Sequence, residues 1–391
     1  NINEKTIMKR KIMVVVTARA SYSRFKTALI ALKDHPKVEL FLEVAASALL
    51  DRYGAADKFI SKDGFKIKDR IYTVLEGENH TSMAKTTGIG ILELSTIMDN
   101  SKPDMVVTIA DRYETMATAI SAAYLGIPLV HIQGGEVTGN IDEKVRHSIT
   151  KLADIHLVAN KDAADRVKKL GEEENTIFIT GCPSIDIAAQ VSREETAKFN
   201  IYDKYSGSGN PLDLSKGYII AMQHPVTSES QDSRDQVLET LHALNDLDIP
   251  VLWFWPNVDA GSDWTSKAIR TFREEENPNN IQFFKNIDGA DFLRLMSNSI
   301  CIIGNSSVAI REASFLGVPA VNIGTRQNGR LRGKNVIDVD YDRKEIIKAI
   351  NNIMSGYKIS PSYIYGDGNA GKKIAEILAT VDLKSDKKIT Y

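Results

Sequence analysis

Polar side chains that can hold phosphate groups follow apolar runs at several points of the chain. Arg19 and Ser23 come after the first run, where a guanidinium and a helix N-terminus can bind a diphosphate. A Gly-Asn-Ser-Ser turn ending in Ser306 and Ser307 follows a later run and offers backbone N–H groups and hydroxyls to a terminal phosphate. Glu312, about one helical turn further on, can accept hydrogen bonds from both hydroxyls of a ribose. Helix capping is the alternative role for these serines.

Groups that can move protons follow two other apolar runs. Asp111 and Arg112 end one of them, and capping or a structural ion pair is the alternative there. The next run leads into a Gly-Gly-Glu turn at Glu136, where two glycines let the backbone approach a ligand closely, unless the turn is only a turn. Asp142 and His147 then begin a helix. A first-turn acid favoured by the helix dipole and a satisfied core histidine are the alternatives for these two.

Several other chemistries are excluded by missing motifs. The turn after the first run is not Gly-x-Gly-x-x-Gly, which argues against a dinucleotide cofactor. The sequence has no His-x-His, no His-Glu-x-x-His and no paired Cys-x-x-Cys, so we expect no protein-bound transition metal. A Gly-x-Ser-x-Gly nucleophile turn is also absent. We therefore predict neither a metal nor a cofactor, and a site for a phosphate-bearing nucleotide.

Composition and charge limit the partners and the compartment. A net charge of −2 over 391 residues excludes a strongly basic nucleic-acid-binding protein. No run of about 18 uncharged apolar residues occurs, and the polar N-terminus differs from a secretory signal peptide. Cys182 and Cys301 lie far apart in apolar runs, so we expect buried thiols and no disulfide. These features predict a cytoplasmic protein without a membrane partner.

The elements that position these residues are short apolar strands alternating with amphipathic helices, a pattern typical of parallel sheets covered on both faces. The predicted strands are 11–17, 38–46, 71–75, 104–110, 128–133, 155–159, 176–180, 217–222, 251–255, 281–284, 300–303, 319–323 and 335–339. A polar, glycine-rich stretch at 202–216 interrupts the alternation. We therefore predict two Rossmann-like, doubly wound α/β domains facing a cleft, at 1–190 and 191–365. Ligands of such sheets bind beyond the carboxyl ends of the strands, where the polar residues lie.

Taken together, the strand-end motifs resemble the UDP-N-acetylglucosamine 2-epimerases, in order, from residue 11 to residue 380. The motifs are Thr17-Ala18-Arg19-Ala20, Asp111-Arg112, Gly134-Gly135-Glu136 with Asn140-Ile141-Asp142, Arg146-His147, Gly181-Cys182-Pro183-Ser184, Gln223-His224-Pro225, Pro256-Asn257-Val258, Gly304-Asn305-Ser306-Ser307 with Arg311-Glu312, Gly324-Thr325-Arg326-Gln327 and Tyr365-Gly366-Asp367-Gly368-Asn369. The Gly-Gly-Glu version is similar to the hydrolysing branch of bacterial sialic-acid and legionaminic-acid pathways.

This resemblance implies a glycosyltransferase-B-like fold, with segment 366–391 packing back on the first domain. It also implies a reaction without a cofactor, in which UDP leaves C1 of a UDP-N-acetylhexosamine as C2 loses a proton, giving a 2-acetamidoglucal. Water then adds and releases a free manno-configured sugar for nonulosonic acid synthesis. The expected ligands are the UDP-sugar and UDP, and the expected assembly is a homodimer or homotetramer.

The resemblance also implies roles for individual residues. Stabilisation of the departing diphosphate falls to Arg19, Arg112 and His224, with Ser306 and Ser307 on the distal phosphate. Glu312 is expected to bind the ribose, and Asn257 to lie near the nucleotide. The groups available for proton removal at C2 and for water addition are Asp111, Glu136, Asp142 and His147.

One position of the catalytic turn departs from the family pattern. Many hydrolysing relatives have a glutamate where this chain has Gln133, and an amide cannot act as a base near neutral pH. The base is then Glu136, Asp142 or Asp111, or the substrate differs, or this form is inactive. Ala110 also replaces a glycine. The two departures favour a UDP-2,4-diacetamido-2,4,6-trideoxyhexose over UDP-N-acetylglucosamine as substrate.

Three other functions remain compatible with the same motifs. A non-hydrolysing 2-epimerase returns UDP to the sugar, and a glycosyltransferase of the same fold needs a second substrate as acceptor. A nucleotide-sugar-binding protein without turnover is the alternative from a different functional class.

Overall fold

The structure is a computed structural model that describes residues 8–76, 80–110, 112–137, 141–226, 229, 231–255, 262–285, 287–357, 359–384 and 387–390. Asp111, Asn140 and Asn257 therefore lie outside the described residues. The chain divides into two compact units. The first contains the residues before 138, residues 141–186 and those from 366 onward, and the second contains residues 187–365.

The first unit is built on a seven-stranded parallel sheet of order β3-β2-β1-β4-β5-β6-β7. Its strands are β1 Arg10–Val16, β2 Val38–Ala45, β3 Ile67–Ile71, β4 Met105–Ile109, β5 Leu129–Ile132, β6 Ile155–Val158 and β7 Ile177–Ile179. Its helices are α1 Arg19–Asp34, α2 Ala56–Lys62, α3 His80–Ser101, α4 Thr115–Tyr124, α5 Ile141–Leu152 and α6 Lys161–Lys169. The next helix, α7 Pro183–Val191, begins in the first unit and ends in the second. Strand order reverses between β1 and β4, as in doubly wound sheets.

The second unit repeats this plan with six parallel strands of order β10-β9-β8-β11-β12-β13. The strands are β8 Ile219–Met222, β9 Val251–Phe254, β10 Ile281–Phe284, β11 Cys301–Gly304, β12 Ala320–Ile323 and β13 Val336–Val339. The helices of this unit are α8 Ser233–Asn245, α9 Ser262–Glu276, α10 Gly289–Ser297, α11 Glu312–Leu316 and α12 Arg343–Met354. The last helix of the chain, α13 Ala370–Thr380, belongs to the first unit. The predicted pair of doubly wound parallel α/β sheets is confirmed.

Burial explains why the strands read as continuous apolar runs. In β1 the side chains of Ile12, Val14 and Val16 enter a core that includes residues of α1 and α13. Met13 and Val15 point to the opposite face, into a core that includes residues of α3 and α4. Because both faces are covered, no position of this strand needs a polar residue. Cys182 and Cys301 are buried free thiols, as predicted.

One predicted strand is misplaced. The apolar run 71–75 was expected to form the third strand, whereas β3 spans Ile67–Ile71. This strand lies at the edge of the sheet and alternates half-buried and exposed residues, so it lacks a continuous apolar run. Every other predicted strand agrees with an observed one to within two residues at each end.

The last helix, α13, packs against the first one. The Asp186 carboxylate accepts hydrogen bonds from the backbone N–H groups of Ala370 (2.8 Å) and Gly371 (2.7 Å) at the start of α13. A side chain at Gly371 would collide with the backbone of Thr27 in α1, so glycine allows the two helices to approach closely. Within the described part of the chain, no helix is long and apolar enough to cross a membrane.

Candidate functional site

The adjacent strands β4 and β5 both end in a residue with left-handed backbone. Ala110 has a φ of 65° and Gln133 a φ of 66°. This region is uncommon for residues other than glycine and costs roughly 1–2 kcal/mol per residue. The surrounding structure must therefore hold these two turns in place. The same two positions are those at which the sequence departs from the family pattern.

The buried side chain of Gln133 uses both ends of its amide. Its Nε2 donates to the Sγ of Cys182 at 2.9 Å, and its Oε1 accepts from Nη1 of Arg24 in α1 at 3.2 Å. The Cys182 sulfur also lies 3.1 Å from the Ser184 hydroxyl. A carboxylate could accept from Arg24 but could not donate to the sulfur. The amide at this position therefore joins the end of β5 to α1 and to the start of α7.

The two glycines that follow Gln133 are required by the protein itself. A Cβ at Gly134 would lie 2.9 Å from Nδ1 of His131, and a Cβ at Gly135 would overlap the carbonyl oxygen of Ala163 in α6. Gly135 also has a φ of 75°. We expected these glycines to let the backbone approach a ligand. That expectation needs correction, because the space beside each Cα is filled by protein atoms.

Glu136 is held in a clamped loop before α5. Its side chain is buried, and its carbonyl oxygen accepts from Nη1 of buried Arg146 at 3.0 Å. The carbonyl of Gly135 accepts from Nη1 of Arg166 at 2.9 Å. Two guanidinium groups thus fix the main chain on either side of the Gly135–Glu136 peptide bond. The main chain that carries the Glu136 side chain is therefore held in place.

Asp142 and His147 lie in the first two turns of α5, the helix that Arg146 joins to this loop. The imidazole of His147 is 31% exposed, which rules out the alternative of a core histidine. Its Nε2 donates to Glu143 at 2.9 Å, while its Nδ1 is buried without a hydrogen-bond partner among the described residues. Gln133 and Glu136 thus follow β5, and Asp142 and His147 lie on α5, which Arg146 joins to the carbonyl of Glu136.

The buried side chain of His131 connects the end of β4 with α5. His131 Nε2 donates to the carbonyl of Ala110 at 2.8 Å, and its Nδ1 lies 3.1 Å from the Thr150 hydroxyl of α5. Burial lowers the pKa of His131 to about 3, so the ring is neutral and the Nδ1 atom accepts. This histidine links the end of β4 to α5 without adding charge.

Arg112 belongs to a cluster that joins three strand ends. Its Nε lies 3.2 Å from the buried Glu114 carboxylate, which also accepts from the Ser47 hydroxyl at 3.1 Å. The same hydroxyl contacts the carbonyl of Thr17 at the end of β1 at 2.8 Å. Arg112 thus has an ion-pair partner in Glu114, while its own side chain is still 35% exposed. Glu114 was not among the predicted site residues, although it stands two residues after Arg112.

Arg19 and Ser23 lie four residues apart on α1, so their side chains are neighbours on the helix surface. The guanidinium of Arg19 stacks over the ring of Phe59 at 4.4 Å, and Ser23 is exposed. The helix begins at Arg19, and Ala18 precedes it without a side-chain cap. Ser23 is therefore inside the helix, and its alternative as an N-terminal cap is wrong.

At the carboxyl edge of the second sheet, one asparagine ties two strand ends together. The side chain of Asn305 accepts from the backbone N–H of His224 at 2.7 Å and donates to the carbonyl of the same residue at 2.8 Å. Its own carbonyl accepts from Arg326 (3.1 Å) and Gln327 (2.8 Å). The sequence predicted a role for His224 but none for Asn305, Arg326 and Gln327, although all of them stand in the quoted motifs.

His224 is buried and neutral. Burial, with a smaller contribution from the positive charge of Arg326, lowers the pKa of His224 to about 3. Its Nδ1 has no hydrogen-bond partner in the described ranges. We expected His224 to supply positive charge to a departing diphosphate. The pKa instead indicates a neutral imidazole that serves as a hydrogen-bond donor or acceptor.

The turn after β11 is tighter than predicted. Ser306 and Ser307 lead into a three-residue 3-10 turn, not into a long helix, and the Ser306 hydroxyl caps it by accepting from the N–H of Val308 at 3.4 Å. Arg311 donates to the Ser307 hydroxyl at 2.8 Å. Glu312 begins the short helix α11 and is buried. Its Oε2 has no hydrogen-bond partner among the residues the structure describes.

Gly304 makes this turn possible. Its φ is 122°, and a Cβ there would overlap the carbonyl oxygen of Met222 at the end of β8. The ends of β8 and β11 can therefore approach closely only with glycine at this position. In the described part of the chain, no group of three or more His, Cys, Asp or Glu residues is arranged to hold a metal ion.

Comparison with known sequences identifies the family. The profile of the UDP-N-acetylglucosamine 2-epimerase family matches residues 30–379. The UDP-N,N'-diacetylbacillosamine 2-epimerase (hydrolyzing) of Legionella pneumophila is 32% identical over 378 residues, which are 97% of this chain and 98% of the relative. The UDP-N-acetylglucosamine 2-epimerase of Neisseria meningitidis is 30% identical over 372 residues, covering 94% and 95% of the two chains.

Solved structures show the same fold. UDP-N-acetylglucosamine 2-epimerase from Neisseria meningitidis, bound to UDP-GlcNAc, superposes with a TM-score of 0.78 at 20% identity, over 94% of this chain and 99% of that one. The enzyme from Methanocaldococcus jannaschii, in complex with UDP-GlcNAc and UDP, gives a TM-score of 0.76 at 17% identity, with coverage of 94% and 99%. The predicted glycosyltransferase-B-like fold and the predicted family are both confirmed. The chain belongs to the UDP-N-acetylglucosamine 2-epimerase family.

Proposed function

We propose that this protein is a hydrolysing 2-epimerase, which converts a UDP-N-acetylhexosamine into UDP and a free sugar with inverted configuration at C2. The observation that carries the proposal is the polar edge of the second sheet, where buried Glu312 and His224 each keep one polar atom without a partner among the described residues. Such atoms are costly unless a ligand supplies the missing hydrogen bond. A ribose and a diphosphate match a carboxylate, an imidazole and two serine hydroxyls.

The reaction proceeds in two stages. A base removes the proton at C2 while the C1–O bond breaks and UDP leaves with the bonding electrons, which gives an unsaturated 2-acetamido sugar. Water then adds across the double bond, its oxygen to C1 and a proton to the opposite face of C2. The sugar is released with the manno configuration, and no oxidant or reductant is consumed.

In the second unit we assign the nucleotide-binding roles. Glu312 accepts from the ribose hydroxyls, and Ser306 and Ser307 donate to the distal phosphate. Neutral His224 donates to a phosphate oxygen, which adds a hydrogen bond without a permanent charge. A role for Asn257 near the nucleotide stays a prediction, because this residue lies outside the described residues.

In the first unit we assign the proton-transfer roles. Glu136 is the best-positioned base, because Arg146 and Arg166 clamp the loop that carries it. Asp142 and His147 are the candidates for protonating C2 and activating water. Asp111, which lies outside the described residues, is a further candidate for the same roles. Arg19 and Arg112 supply positive charge to the departing diphosphate. The side-chain amide of Gln133 has a structural role, because its hydrogen bonds to Cys182 and Arg24 hold the end of β5 in place.

For the sugar, we propose a UDP-2,4-diacetamido-2,4,6-trideoxyhexose. Two relatives at 30% identity or more are hydrolysing 2-epimerases of UDP-N,N'-diacetylbacillosamine, from Legionella pneumophila and, as a GDP/UDP enzyme, from Campylobacter jejuni. UDP-N-acetylglucosamine is the second candidate, supported by the Neisseria relative. The product in either case is a free amino sugar suited to nonulosonic acid synthesis, a role consistent with the 31% identical polysialic acid biosynthesis protein P7 of Escherichia coli.

The test is a comparison of the two donors. The purified protein is incubated with each UDP-sugar alone in water, and the products are separated and identified by NMR spectroscopy. We expect UDP and a free manno-configured sugar in equal amounts, with the larger kcat/KM for the diacetamido donor. A UDP-linked product would indicate a non-hydrolysing epimerase. Binding of both donors without turnover would indicate a nucleotide-sugar-binding protein.

A further inference from the structure

A short segment far along the chain packs against Gly171 and Glu172 and against the carboxyl end of α5, the helix that carries Asp142 and His147. We name residues Lys387–Thr390 the 387–390 strap. The N–H of Thr390 donates to the carbonyl of Gly171 at 2.9 Å, and its hydroxyl donates to the carbonyl of Glu172 at 3.2 Å. A Cβ at Gly171 would lie 2.7 Å from the side chain of Ile389, so the strap packs where residue 171 has no side chain. The strap is therefore packed against the first unit and hydrogen-bonded to it.

Lys387 caps the carboxyl end of α5. Its Nζ donates to the carbonyl of Thr150 at 3.2 Å and to the carbonyl of Ala153. The last carbonyls of a helix lack partners within the helix and carry its negative dipole end. An ammonium group at this place satisfies both acceptors and complements the dipole.

The charge of Lys387 is held in a nearly buried cluster. The Glu172 carboxylate, 4% exposed, lies 2.5 Å from Lys387, 2.6 Å from Lys151 and 2.9 Å from Nε2 of His156. Burial raises the pKa of Glu172, but the hydrogen bonds from His156, Lys151 and Lys387 outweigh it and lower that pKa to about 2. The carboxylate is thus ionised, and Lys387 is one of the cations that compensate it.

From this anchored end, α5 is joined by hydrogen bonds to both turns of the candidate site. Thr150 contacts His131, and His131 donates to the carbonyl of Ala110, the residue before Asp111. One turn before Thr150, in the middle of the helix, Arg146 donates to the carbonyl of Glu136. Displacement of α5 along its axis would strain both of these connections.

We propose that Lys387 is a positioning residue, which fixes α5 and thereby sets the placement of Asp142 and His147 for proton transfer. The inference rests on the proposed function. It assigns no contact between Lys387 and substrate. Its role is to hold the helix that carries reacting groups, and small displacements of such groups are enough to reduce turnover strongly.

The test compares four proteins: wild type, Lys387→Met, Lys387→Arg and the matched control Lys388→Met, which removes an exposed lysine from the same strap. Each is assayed for UDP release from the diacetamido donor well below its melting temperature, and amide hydrogen exchange is followed in α5. We expect Lys387→Met to lower kcat about tenfold with KM unchanged and to speed exchange in the last turn of α5. Lys387→Arg should recover most of the loss, and Lys388→Met should match wild type.

Several results would overturn the proposal. One is a Lys387→Met protein that melts earlier but keeps the kcat of Lys388→Met, because the strap would then be a stability element only. Unchanged exchange in α5 would do the same whatever the substrate. If Lys387→Met does not fold, Lys387→Gln takes its place, and full activity of that variant contradicts the inference. A wild-type protein that releases no UDP would instead count against the proposed function, while the exchange measurement still decides the role of the strap.

Discussion

The two sheet edges treat their polar side chains differently. At the edge of the first sheet, the buried groups of the strand ends contact one another: Gln133 bonds to Cys182, and Glu114 accepts from Ser47 and faces Arg112. On the neighbouring helix α5, the Nδ1 of His147 has no partner among the described residues. At the edge of the second sheet, the main chain is tied down by Asn305, but Glu312 and His224 each keep a buried atom without a partner among the described residues.

We relate this difference to function: the edge of the first sheet carries the candidates for proton transfer, and the edge of the second sheet carries the candidates for binding UDP. Hydrogen bonds between the strand ends fix the turns that carry the acids and bases in one geometry, which proton transfer requires. A buried polar atom without a partner destabilises the protein by about 1–3 kcal/mol, and a bound ligand that provides the missing bond removes this cost. We therefore expect substitutions at the first edge to change kcat and those at the second edge to change affinity for UDP.

The largest effect should come from the candidate base. Glu136→Gln preserves the shape of the side chain but removes its basicity, so kcat should fall about 10²- to 10⁴-fold while the affinity for UDP, measured by calorimetry, is unchanged. Glu93→Gln, at an exposed position of α3, is the matched control. Loss of UDP affinity with kcat preserved would reverse the assignment of the two edges.

The close approach of β8 and β11 is the next feature to test. Gly304→Ala introduces a Cβ that overlaps the Met222 carbonyl at a φ of 122°, and the free energy of unfolding should fall by about 3 kcal/mol or more. Gly88→Ala, in α3 with open space around its Cβ, should instead gain about 0.5–1 kcal/mol. Urea denaturation measures both. Equal stability of the two variants would contradict the described turn.

Glu43 is a buried carboxylate within strand β2 of the first sheet, and it allows a comparison with Glu312, which follows a strand of the second sheet. Glu43 is fully buried in β2, and its two oxygens have no partner within the described ranges. Burial, and then the negative charge of Asp69, raise the pKa of Glu43 to about 7. Because Glu43 is buried and lies near the negative charge of Asp69, its ionisation is a cost in stability.

The pH dependence follows from that shift. The folded pKa lies above the unfolded value of 4.5, so stability present below pH 4.5 is lost as pH rises towards 7. Above pH 7.5, Glu43→Gln should be more stable than wild type by about 3 kcal/mol relative to their difference at pH 4. Denaturation over pH 4–8 measures this, with exposed Glu39→Gln on the same strand as control. Parallel pH profiles for Glu43→Gln and wild type would refute the prediction.

A smaller effect is expected at the nucleotide edge. Glu312→Gln replaces a charged acceptor for the ribose hydroxyls, so the dissociation constant of UDP should rise about tenfold with kcat at saturation unchanged. Glu275→Gln, exposed on α9, serves as the control. Titration calorimetry with UDP decides it. Unaltered UDP affinity would show that the buried Glu312 oxygen serves some other purpose.

The smallest effect concerns the left-handed end of β4. Ala110→Gly relieves a φ of 65° and should raise the free energy of unfolding by about 0.5–1 kcal/mol. Ala84→Gly, at an exposed position inside α3, should lower it by about 1 kcal/mol. A loss of stability in both variants would mean that the strand end does not require left-handed backbone.

The fold was predictable because fully buried parallel strands have an unmistakable apolar pattern. Only β3 was misplaced, since an edge strand alternates exposed and half-buried residues. The motifs also located most candidate residues at strand ends. Sequence could not reveal their pairing: Gln133 and Cys182 are 49 residues apart, and Asn305 contacts His224 across 81 residues.

Glycines show the same limit at a finer scale. Gly134 and Gly135 were expected to admit a ligand, but they admit the ring of His131 and the backbone of α6. A glycine motif shows that some atom approaches closely, not which one. The neutral state of His224 was equally hidden, because it depends on burial and on Arg326, about a hundred residues away along the chain.

The most direct test of the account is the reaction in deuterated water. The protein is incubated with the diacetamido UDP-sugar, and the products are analysed by NMR spectroscopy and mass spectrometry. We expect UDP together with an equal amount of free manno-configured sugar that carries one deuterium at C2. Free sugar without deuterium at C2, or deuterated sugar still joined to UDP, would contradict it.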